Sequence, residues 1–455
     1  MISIIKEKFN SISNKGHSRT VMARKNVLGS FVVKGISIAI SLWLVPLTID
    51  YVDPNQYGIW ITVSSVILWF NFFDLGLGNG LRNRLAEAIA QNDTEKAKKL
   101  ISTAYASLIV IAGILAAAFF LINPYIRWDQ LLGLPAKYQH ELSQLIGILL
   151  IMFCIQFVLQ LVNTINYAFQ KSMLASASFL LGSIFSLIFI LILKETTPGS
   201  LFWLGIAFFT GNLLSLLLFT LHFFLVRRKD LLPGLKYVSF SSSKSILNLG
   251  SKFFVIQIAA IVQYESTNVL ISRWFSSENP QAVTEYNIAY KLFYIIMMVF
   301  AIIMTPIWSA MTDAQAKGDY KWIQSTERKL LRIWLFFALI ALILLALSPT
   351  IYHIWVKKVK VPFIISIGVM FYIIAMSFGS IYVNILNGMG RLKTQFYLSI
   401  ITMIVFVPLS YLFAKQLNLG VFGICLALVI VNVNGLVAAP LEFRRIVNAK
   451  RYTKK

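Results

Sequence analysis

Long apolar stretches alternate with short polar connections along the whole chain. Twelve of these stretches have roughly 20 residues or more, the length at which a helix crosses a bilayer. Their approximate limits are 27–48, 57–80, 101–123, 145–168, 173–193, 201–226, 246–272, 284–310, 330–355, 362–388, 395–414 and 420–441. The pattern therefore predicts an all-α integral membrane protein with about twelve transmembrane helices.

The second half of the chain repeats features of the first half. One offset, 221 residues, relates the Leu-Gly-Ser motif at 28–30 to that at 249–251, and relates Asn163 to Asn384. Both matches hold the same place in the order of the apolar stretches. Because duplicated membrane halves are common in secondary transporters, we predict two pseudo-symmetric six-helix lobes, 1–230 and 231–455. Each lobe carries one of the two basic tails.

Composition agrees with a membrane protein and orients it. Apolar residues make up 58% of the chain and charged residues 13%, against about 25% charged residues in soluble domains. The net charge is +23, but most of the 41 Lys and Arg residues lie in the two tails and in alternate connections. Such clusters set topology and attract lipid headgroups rather than nucleic acid. They predict that both termini are cytoplasmic.

Two predicted spans carry polar residues along one helix face. The fourth span has Gln156, Gln160, Asn163, Tyr167 and Gln170, and the tenth has Ser377, Ser380, Asn384, Asn387 and Arg391. Spacings of three, four and seven residues align side chains on a helix. These faces are interpreted as walls of a shared aqueous cavity. The alternative is hydrogen bonding between packed helices, which Asn and Gln also provide.

Ionisable residues inside predicted spans are candidates for function. In the second span Asn71, Asp74 and Arg82 share a face, and Arg84 follows on a different face. A structural charge pair at the membrane edge is the alternative for Asp74 and Arg82. Lys34, in the first span, either binds an anionic group or extends to the nearest membrane surface.

The seventh and eighth spans add a second group of candidates. Gln257, Glu265 and Asn268 share one face of the seventh span. Glu265 is interpreted as a site for a coupling proton or sodium ion, with an ion pair to Arg273 or Lys291 as the alternative.

A tyrosine ridge in the eighth span comprises Tyr286, Tyr290 and Tyr294, and Lys291 lies beside it. The ridge suits either sugar rings or helix packing. No phosphate-binding loop, metal-ligand spacing or catalytic triad is found in the sequence, so neither an enzyme nor a cofactor is predicted.

One segment resembles a known family. Residues 73–88, FDLGLGNGLRNRLAEA, look like the corresponding segment of Wzx-type O-antigen and polysaccharide flippases. The Leu-Gly-Ser motif at 28–30, YGIW at 57–60 and NILNGMG at 384–390 are similar too.

The resemblance implies the fold of the multidrug/oligosaccharidyl-lipid/polysaccharide (MOP) exporters, in which two six-helix lobes face a central cleft. It implies a flippase of a bacterial inner membrane that moves undecaprenyl-diphosphate-linked oligosaccharide to the outer leaflet. Alternating access, driven by a proton or sodium gradient, is the implied mechanism. A polysaccharide polymerase and a chain-length regulator are the expected protein partners.

The face analysis then assigns candidate roles. Diphosphate-binding candidates are Lys34, Arg82, Arg84, Lys291 and Arg391. Cavity-lining candidates for sugar are Asn71, Gln156, Gln160, Asn163, Tyr167, Gln257, Asn268, Tyr290, Asn384 and Asn387. Asp74 and Glu265 are the ion-coupling candidates. Alternative functions are an ion-coupled multidrug exporter of the same superfamily, a membrane enzyme of polysaccharide assembly, or a scaffold for that assembly.

Overall fold

The computed structural model describes residues 18–70, 77–169, 171–239, 258, 262–263, 265–316, 318–391 and 393–452. These residues are 89% helical and contain no β-strand. They form two compact units, each assembled from separate stretches of the chain. The first unit comprises Met1–Val52, Asn71–Ile126 and Gln139–Ser251, and the second comprises Asp53–Phe70, Arg127–Tyr138 and Lys252–Lys455. The lobes at 1–230 and 231–455 remain a prediction.

Seven helices belong to the first unit. They are α1 (Ser18–Val52), α3 (Leu77–Ala90), α4 (Thr94–Ile122), α6 (Gln139–Leu159), α7 (Leu161–Ala168), α8 (Ser172–Thr196) and α9 (Leu201–Leu221), which continues into a π-helical turn, His222–Arg227. Helix α3 is amphipathic: Leu77, Leu81, Leu85 and Ala88 are buried and recur at helical spacing. This face packs against α4 and α7.

The second unit contains helices that range from five to 37 residues. They are α2 (Pro54–Trp69), α5 (Trp128–Leu132), α10 (Ala282–Ala316), α11 (Tyr320–Val356), α12 (Phe363–Gly388), α13 (Lys393–Tyr411), α14 (Gly420–Val431) and α15 (Ala439–Tyr452). Residues 265–275 are also helical. A buried cluster that includes Phe300, Met304, Ile381, Ile385 and Phe443 joins α10, α12 and α15.

Membrane-length helices confirm the predicted fold class. In the described part of the chain, eight helical stretches are long and apolar enough to cross a bilayer, and a bent pair, Gly420–Val431 with Asn434–Asn448, makes a ninth. The predicted second and seventh spans include residues outside the described ranges, and α10 runs through the predicted eighth span. Twelve spans therefore remain a prediction, whereas an all-α multi-pass membrane protein is observed.

The duplication is visible in the turns that join corresponding helices. Before α4, Asn92 has a positive φ of 55° and the Asp93 carboxylate caps the helix; before α11, Gly318 (68°) and Asp319 do the same. The backbone N–H of each aspartate donates to an alanine carbonyl five residues earlier, at 3.0 and 2.9 Å. Since the left-handed residue and the cap recur together, the repeat reaches local backbone geometry.

Candidate functional site

A polar cavity lies inside the second unit, and we call it the amide cavity. It encloses about 750 Å³, part of it open to solvent. Its walls combine uncharged polar side chains with apolar ones, and none of the described residues that line it is charged. The polar lining is Gln263, Ser380, Asn384, Gln395, Ser399, Thr402, Asn432 and Asn434.

A break in the last membrane-spanning stretch shapes this cavity. Helix α14 ends at Val431, and the chain resumes after a 41° bend with a π-helical turn, Asn434–Ala438. Asn432, at the break, donates from Nδ2 to the Ala375 carbonyl of α12 at 3.3 Å. A broken helix at membrane depth is tolerated where its freed polar groups meet protein or line a cavity, and both occur here.

Glycines allow α12 to approach the broken span. A Cβ atom on Gly379 would lie 2.7 Å from the Cα of Gly435, closer than real Cβ contacts allow. The close approach places the next turns of α12, with Ser380 and Asn384, along the same cavity wall.

Hydrogen bonds fix the polar side chains that line this cavity. Asn384 donates from Nδ2 to the Ser380 carbonyl at 2.6 Å. On another side, Gln263 donates from Nε2 to the Thr402 hydroxyl at 2.7 Å. Each of these side chains keeps further lone pairs or N–H groups in addition to the bond observed. The cavity can therefore both donate and accept hydrogen bonds.

A second cavity of the same unit contains a carboxylate, and we call it the carboxylate cavity. It has about 660 Å³, part of it open to solvent. Its lining is Ile61, Ser64, Ser65, Leu68, Glu265, Thr267, Asn268, Tyr286, Asn287, Tyr290, Tyr372 and Leu428. Glu265 is the one ionisable carboxylate in this lining. The described residues contain no group of three His, Cys, Asp or Glu placed to hold a metal ion.

Glu265 belongs to a hydrogen-bonded chain rather than to an ion pair. Asn268 donates from Nδ2 to the Ser65 hydroxyl at 2.9 Å, and Ser65 bonds to the Glu265 carboxylate. Arg273 donates instead to the Gln130 carbonyl, and no ion pair joins it or Lys291 to Glu265 among the described residues. The Oδ1 atom of Asn268 is buried without a hydrogen-bond partner in the described part of the chain. Asn268, Ser65 and Glu265 thus form one hydrogen-bonded chain in this lining.

Lys291 is linked to the lining of the carboxylate cavity by a separate series of hydrogen bonds. Its ammonium donates to the Tyr57 hydroxyl at 3.2 Å, and Tyr57 donates to Oδ1 of Asn287 at 3.0 Å. Asn287 lines the cavity. No carboxylate pairs with Lys291 among the described residues, so its charge is available to an anion.

The tyrosine ridge both packs and lines a cavity. Ring centroids of Tyr286 and Tyr290 are 5.9 Å apart, and those of Tyr290 and Tyr294 are 5.0 Å apart, in stacked geometry. Tyr372 of α12 stacks on Tyr290 at 6.5 Å. Because three of these rings face the carboxylate cavity, packing and lining are not exclusive alternatives here.

In the first unit the predicted polar face is interrupted. Helix α6 ends at Leu159 and α7 begins at Leu161, so Gln160 lies at the break. Asn163 is only 3% exposed and accepts a 2.8 Å hydrogen bond from the Ser178 hydroxyl of α8. The Arg82 guanidinium lies 5.1 Å from the Tyr167 ring centroid. Hydrogen bonding between helices is therefore observed at Asn163, and a cation–π contact joins two of the candidates.

The remaining candidates are spread over the two units. Arg84 pairs with Glu87 at 3.3 Å, and Lys34 is exposed on α1. Arg391 is exposed just after α12, where Gly390 adopts a left-handed φ of 69°. Asn387 and Gln156 are half-buried on α12 and α6. Asn71, Asp74, Gln170 and Gln257 lie outside the described residues.

Several cavity residues were not among the sequence candidates. Gln263, Thr402, Asn432 and Asn434 in the amide cavity come from three different stretches of the chain. Asn432 and Asn434 carried a usable signal, since two asparagines followed by glycine interrupt an apolar span. Thr402 carried none, because threonine is common in membrane helices that only pack.

Comparisons with known proteins agree on one family and one fold. A family model described as "Polysaccharide biosynthesis protein" matches residues 23–312. A protein of Yersinia pseudotuberculosis named as an O-antigen export protein is 20% identical over 373 residues, which cover 79% of this chain and 81% of that protein. One of Salmonella typhi named as an O-antigen transporter is 20% identical over 314 residues, 66% of each chain.

Solved structures give the same fold. An inward-facing multidrug resistance MATE family transporter of the MOP superfamily superposes with a TM-score of 0.73 at 15% identity, over 94% of this chain and 96% of the other. At that identity the likeness shows the MOP transporter fold alone.

Proposed function

This chain belongs to the family of polysaccharide biosynthesis proteins, and on that premise we propose that it exports a lipid-linked polysaccharide precursor. The proposed cargo is an oligosaccharide on undecaprenyl diphosphate, an O-antigen or related repeat unit. It moves from the cytoplasmic to the outer leaflet of a bacterial inner membrane by alternating access. In this proposal both termini are cytoplasmic and the protein is a transporter rather than an enzyme.

The amide cavity is the observation that carries the proposal. A sugar presents hydroxyl groups that donate and accept hydrogen bonds, and Asn, Gln, Ser and Thr side chains match both roles. Eight such side chains line one cavity, and no charged group lines it in the described part of the chain. A cavity of this composition suits a neutral, strongly hydrated cargo, because buried polar groups on either partner need bonds.

The diphosphate of the carrier requires a cation, since a desolvated phosphate without one is costly. Among the five predicted candidates, Lys291 is the best supported. It is close to the wall of the carboxylate cavity through Tyr57 and Asn287, and no described carboxylate neutralises it. Arg82 has a tyrosine ring and Arg84 has Glu87 as partners already.

Glu265 is the proposed coupling site for a proton or sodium ion. Its carboxylate, the Ser65 hydroxyl and the unpartnered Asn268 Oδ1 atom supply oxygen ligands of the kind that bind hard cations. The same cavity favours a second candidate function, export of cationic drugs, because a carboxylate beside tyrosine rings also attracts organic cations.

Complementation tests the proposal. The chain is expressed in a bacterial strain that lacks its own flippase but makes the matching sugar unit, and surface polysaccharide is read on gels. We expect restored ladders, which Asn384→Ala reduces strongly. Asn212→Ala is the matched control, since Asn212 likewise donates to a carbonyl four residues earlier, at 3.2 Å, but lies in the first unit.

Three outcomes separate the candidate functions. Loss of ladders in Lys291→Ala with retention in Lys291→Arg supports a phosphate-binding cation, and loss in Glu265→Gln supports ion coupling. Absent ladders at normal protein level, together with Glu265-dependent efflux of a cationic dye, would replace the polysaccharide proposal by drug export.

A further inference from the structure

Three cations of the first unit meet at one end of its membrane helices. Lys171 connects α7 to α8, and Arg227 and Arg228 end the turn that follows α9. Two of them lie over one ring: the Lys171 ammonium is 5.7 Å and the Arg228 guanidinium 5.0 Å from the centroid of Phe169. Arg227 is close enough for its charge to act on Lys171. We call this cluster the basic edge.

The basic edge is not neutralised from within. Arg228 forms a paired hydrogen bond with Asp230, at 2.6 and 2.9 Å. Arg227 donates to Nε2 of His222 at 3.1 Å, and no carboxylate pairs with it among the described residues. Burial, and then the charges of Arg227 and Arg228, lower the pKa of Lys171. Among the described residues these three cations form one ion pair, Arg228 with Asp230, and an added anion would relieve their repulsion.

Apolar side chains next to the cations place the cluster at a membrane boundary. Leu225 and Val226, directly before Arg227, are 51% and 67% exposed. Further along, Leu235 is 90% exposed in a short turn fixed to α4 by a bond from the Gly234 N–H to the Ser102 hydroxyl. Exposed apolar residues beside cations at the ends of spans are typical of the level of lipid headgroups.

We propose that Lys171, Arg227 and Arg228 form a binding site for the phosphate group of an anionic membrane lipid. Phosphate matches the charge of the cluster, and guanidinium groups bind its oxygens with strong, directional hydrogen bonds. A lipid is favoured over a free anion because its acyl chains would cover Leu225 and Val226. The inference does not depend on the cargo proposed above.

Thermal unfolding of the purified full-length protein in detergent tests the site. Phosphatidylglycerol is titrated against phosphatidylcholine with the same acyl chains, and against sodium phosphate at equal phosphate concentration. We expect stabilisation by phosphatidylglycerol alone. Lys171→Gln/Arg227→Gln is expected to need a roughly 25-fold higher lipid concentration, since each interfacial charge contributes about fivefold in affinity.

Two further variants keep the test decisive. Arg328→Gln/Lys329→Gln removes two exposed charges of α11 and is expected to keep the wild-type titration, while Lys171→Arg/Arg227→Lys keeps it by preserving charge. If the double glutamine variant does not fold, Arg227→Gln alone replaces it. An unchanged titration in Lys171→Gln/Arg227→Gln, or in Arg227→Gln where that replaces it, would overturn the proposed lipid site, as would equal stabilisation by sodium phosphate.

Discussion

Asn163 in the first unit and Asn384 in the second unit occupy equivalent sequence positions but different environments. Asn163 is buried and accepts a hydrogen bond from Ser178 of the neighbouring helix. Asn384 bonds only within its own helix and faces the amide cavity. If the halves are duplicated, as the sequence predicts, the same polar position joins helices in one half and lines a cavity in the other.

The difference follows from where each unit breaks a helix. In the first unit the break falls within the polar face itself, at Gln160 between α6 and α7. In the second unit α12 is continuous, and the break falls in a neighbouring stretch at Asn432 and Val433. A continuous polar face opposite a broken helix leaves room for a cavity.

The largest expected effect comes from filling the amide cavity. Ser399→Phe places a ring among the amides, and we expect export to fall by roughly tenfold or more, equivalent to at least about 1.4 kcal/mol. Ser183→Phe is the matched control in the first unit, because both serines donate to a carbonyl of their own helix. Surface polysaccharide per molecule of protein is the measurement. Equal losses of surface polysaccharide in Ser399→Phe and Ser183→Phe would contradict the claim that the two units differ in this way.

The second prediction concerns stability, which should depend more on Asn163 than on Asn384. Asn163→Ala removes one of two acceptors of the buried Ser178 hydroxyl, which also donates to the Ala175 carbonyl at 2.9 Å. We therefore expect the free energy of unfolding to fall by about 0.5–1.5 kcal/mol, the net contribution of one hydrogen bond. We expect a lower thermal midpoint with normal export per folded molecule, whereas Asn384→Ala lowers export with little change in the midpoint. Thermal unfolding and complementation on the same two variants decide the matter. If the thermal midpoint falls only in Asn384→Ala, then Asn384 rather than Asn163 stabilises the fold, and the assigned roles are wrong.

A smaller effect is expected at the contact between Arg82 and Tyr167. A cation–π contact at an exposed site contributes about 0.5–1 kcal/mol, so Tyr167→Leu should lower the thermal midpoint slightly. When Arg82 is already replaced by alanine, Tyr167→Leu should lower the thermal midpoint no further. A double-mutant cycle measures this coupling. Additive effects of the two substitutions would mean that the contact does not stabilise the first unit.

The smallest effect concerns two Arg-x-Asp pairs, one in each unit. Hydrogen bonds from Arg127 and Arg228 lower the pKa of Asp129 and of Asp230. Asp129 is 3% exposed, whereas Asp230 is exposed, so Asp129→Asn should destabilise more than Asp230→Asn.

The pH dependence of this effect has a definite sign. A carboxyl whose pKa is lowered by folding stabilises the protein above its unfolded pKa, about 4, and loses that contribution as pH falls below it. The difference between wild type and Asp129→Asn should therefore be constant near neutral pH and shrink under acid. A difference that grows as pH falls would contradict the pKa direction.

Much of the fold could be predicted because its signals are local. Apolar length predicted the all-α membrane class, and the segments at 28–30, 57–60, 73–88 and 384–390 predicted the family and the MOP fold that the comparisons confirm. The duplication stays a prediction from an offset in sequence, and the capped turns at Asp93 and Asp319 share one local geometry.

The candidate site was harder to predict because it depends on distant residues coming together. Helical periodicity identified Asn384 but could not indicate that Gln263, Thr402 and Asn432 meet it in one cavity. It also could not distinguish the buried bond of Asn163 from a cavity wall. For Glu265 the sequence offered two cationic partners, whereas the observed partner is the Ser65 hydroxyl. The roles of the candidates in transport remain predictions.

Cysteine accessibility tests the central claim most directly. In a background with Cys154 and Cys425 replaced by alanine, both of which are buried, Ser399→Cys and Ser178→Cys are treated with a water-soluble maleimide in intact cells and in opened vesicles. The account predicts that Cys at 399 reacts from at least one side and that its modification stops export, while Cys at 178 does not react. If Cys at 178 reacts and Cys at 399 does not, the aqueous cavity lies in the first unit rather than the second, and the account is contradicted.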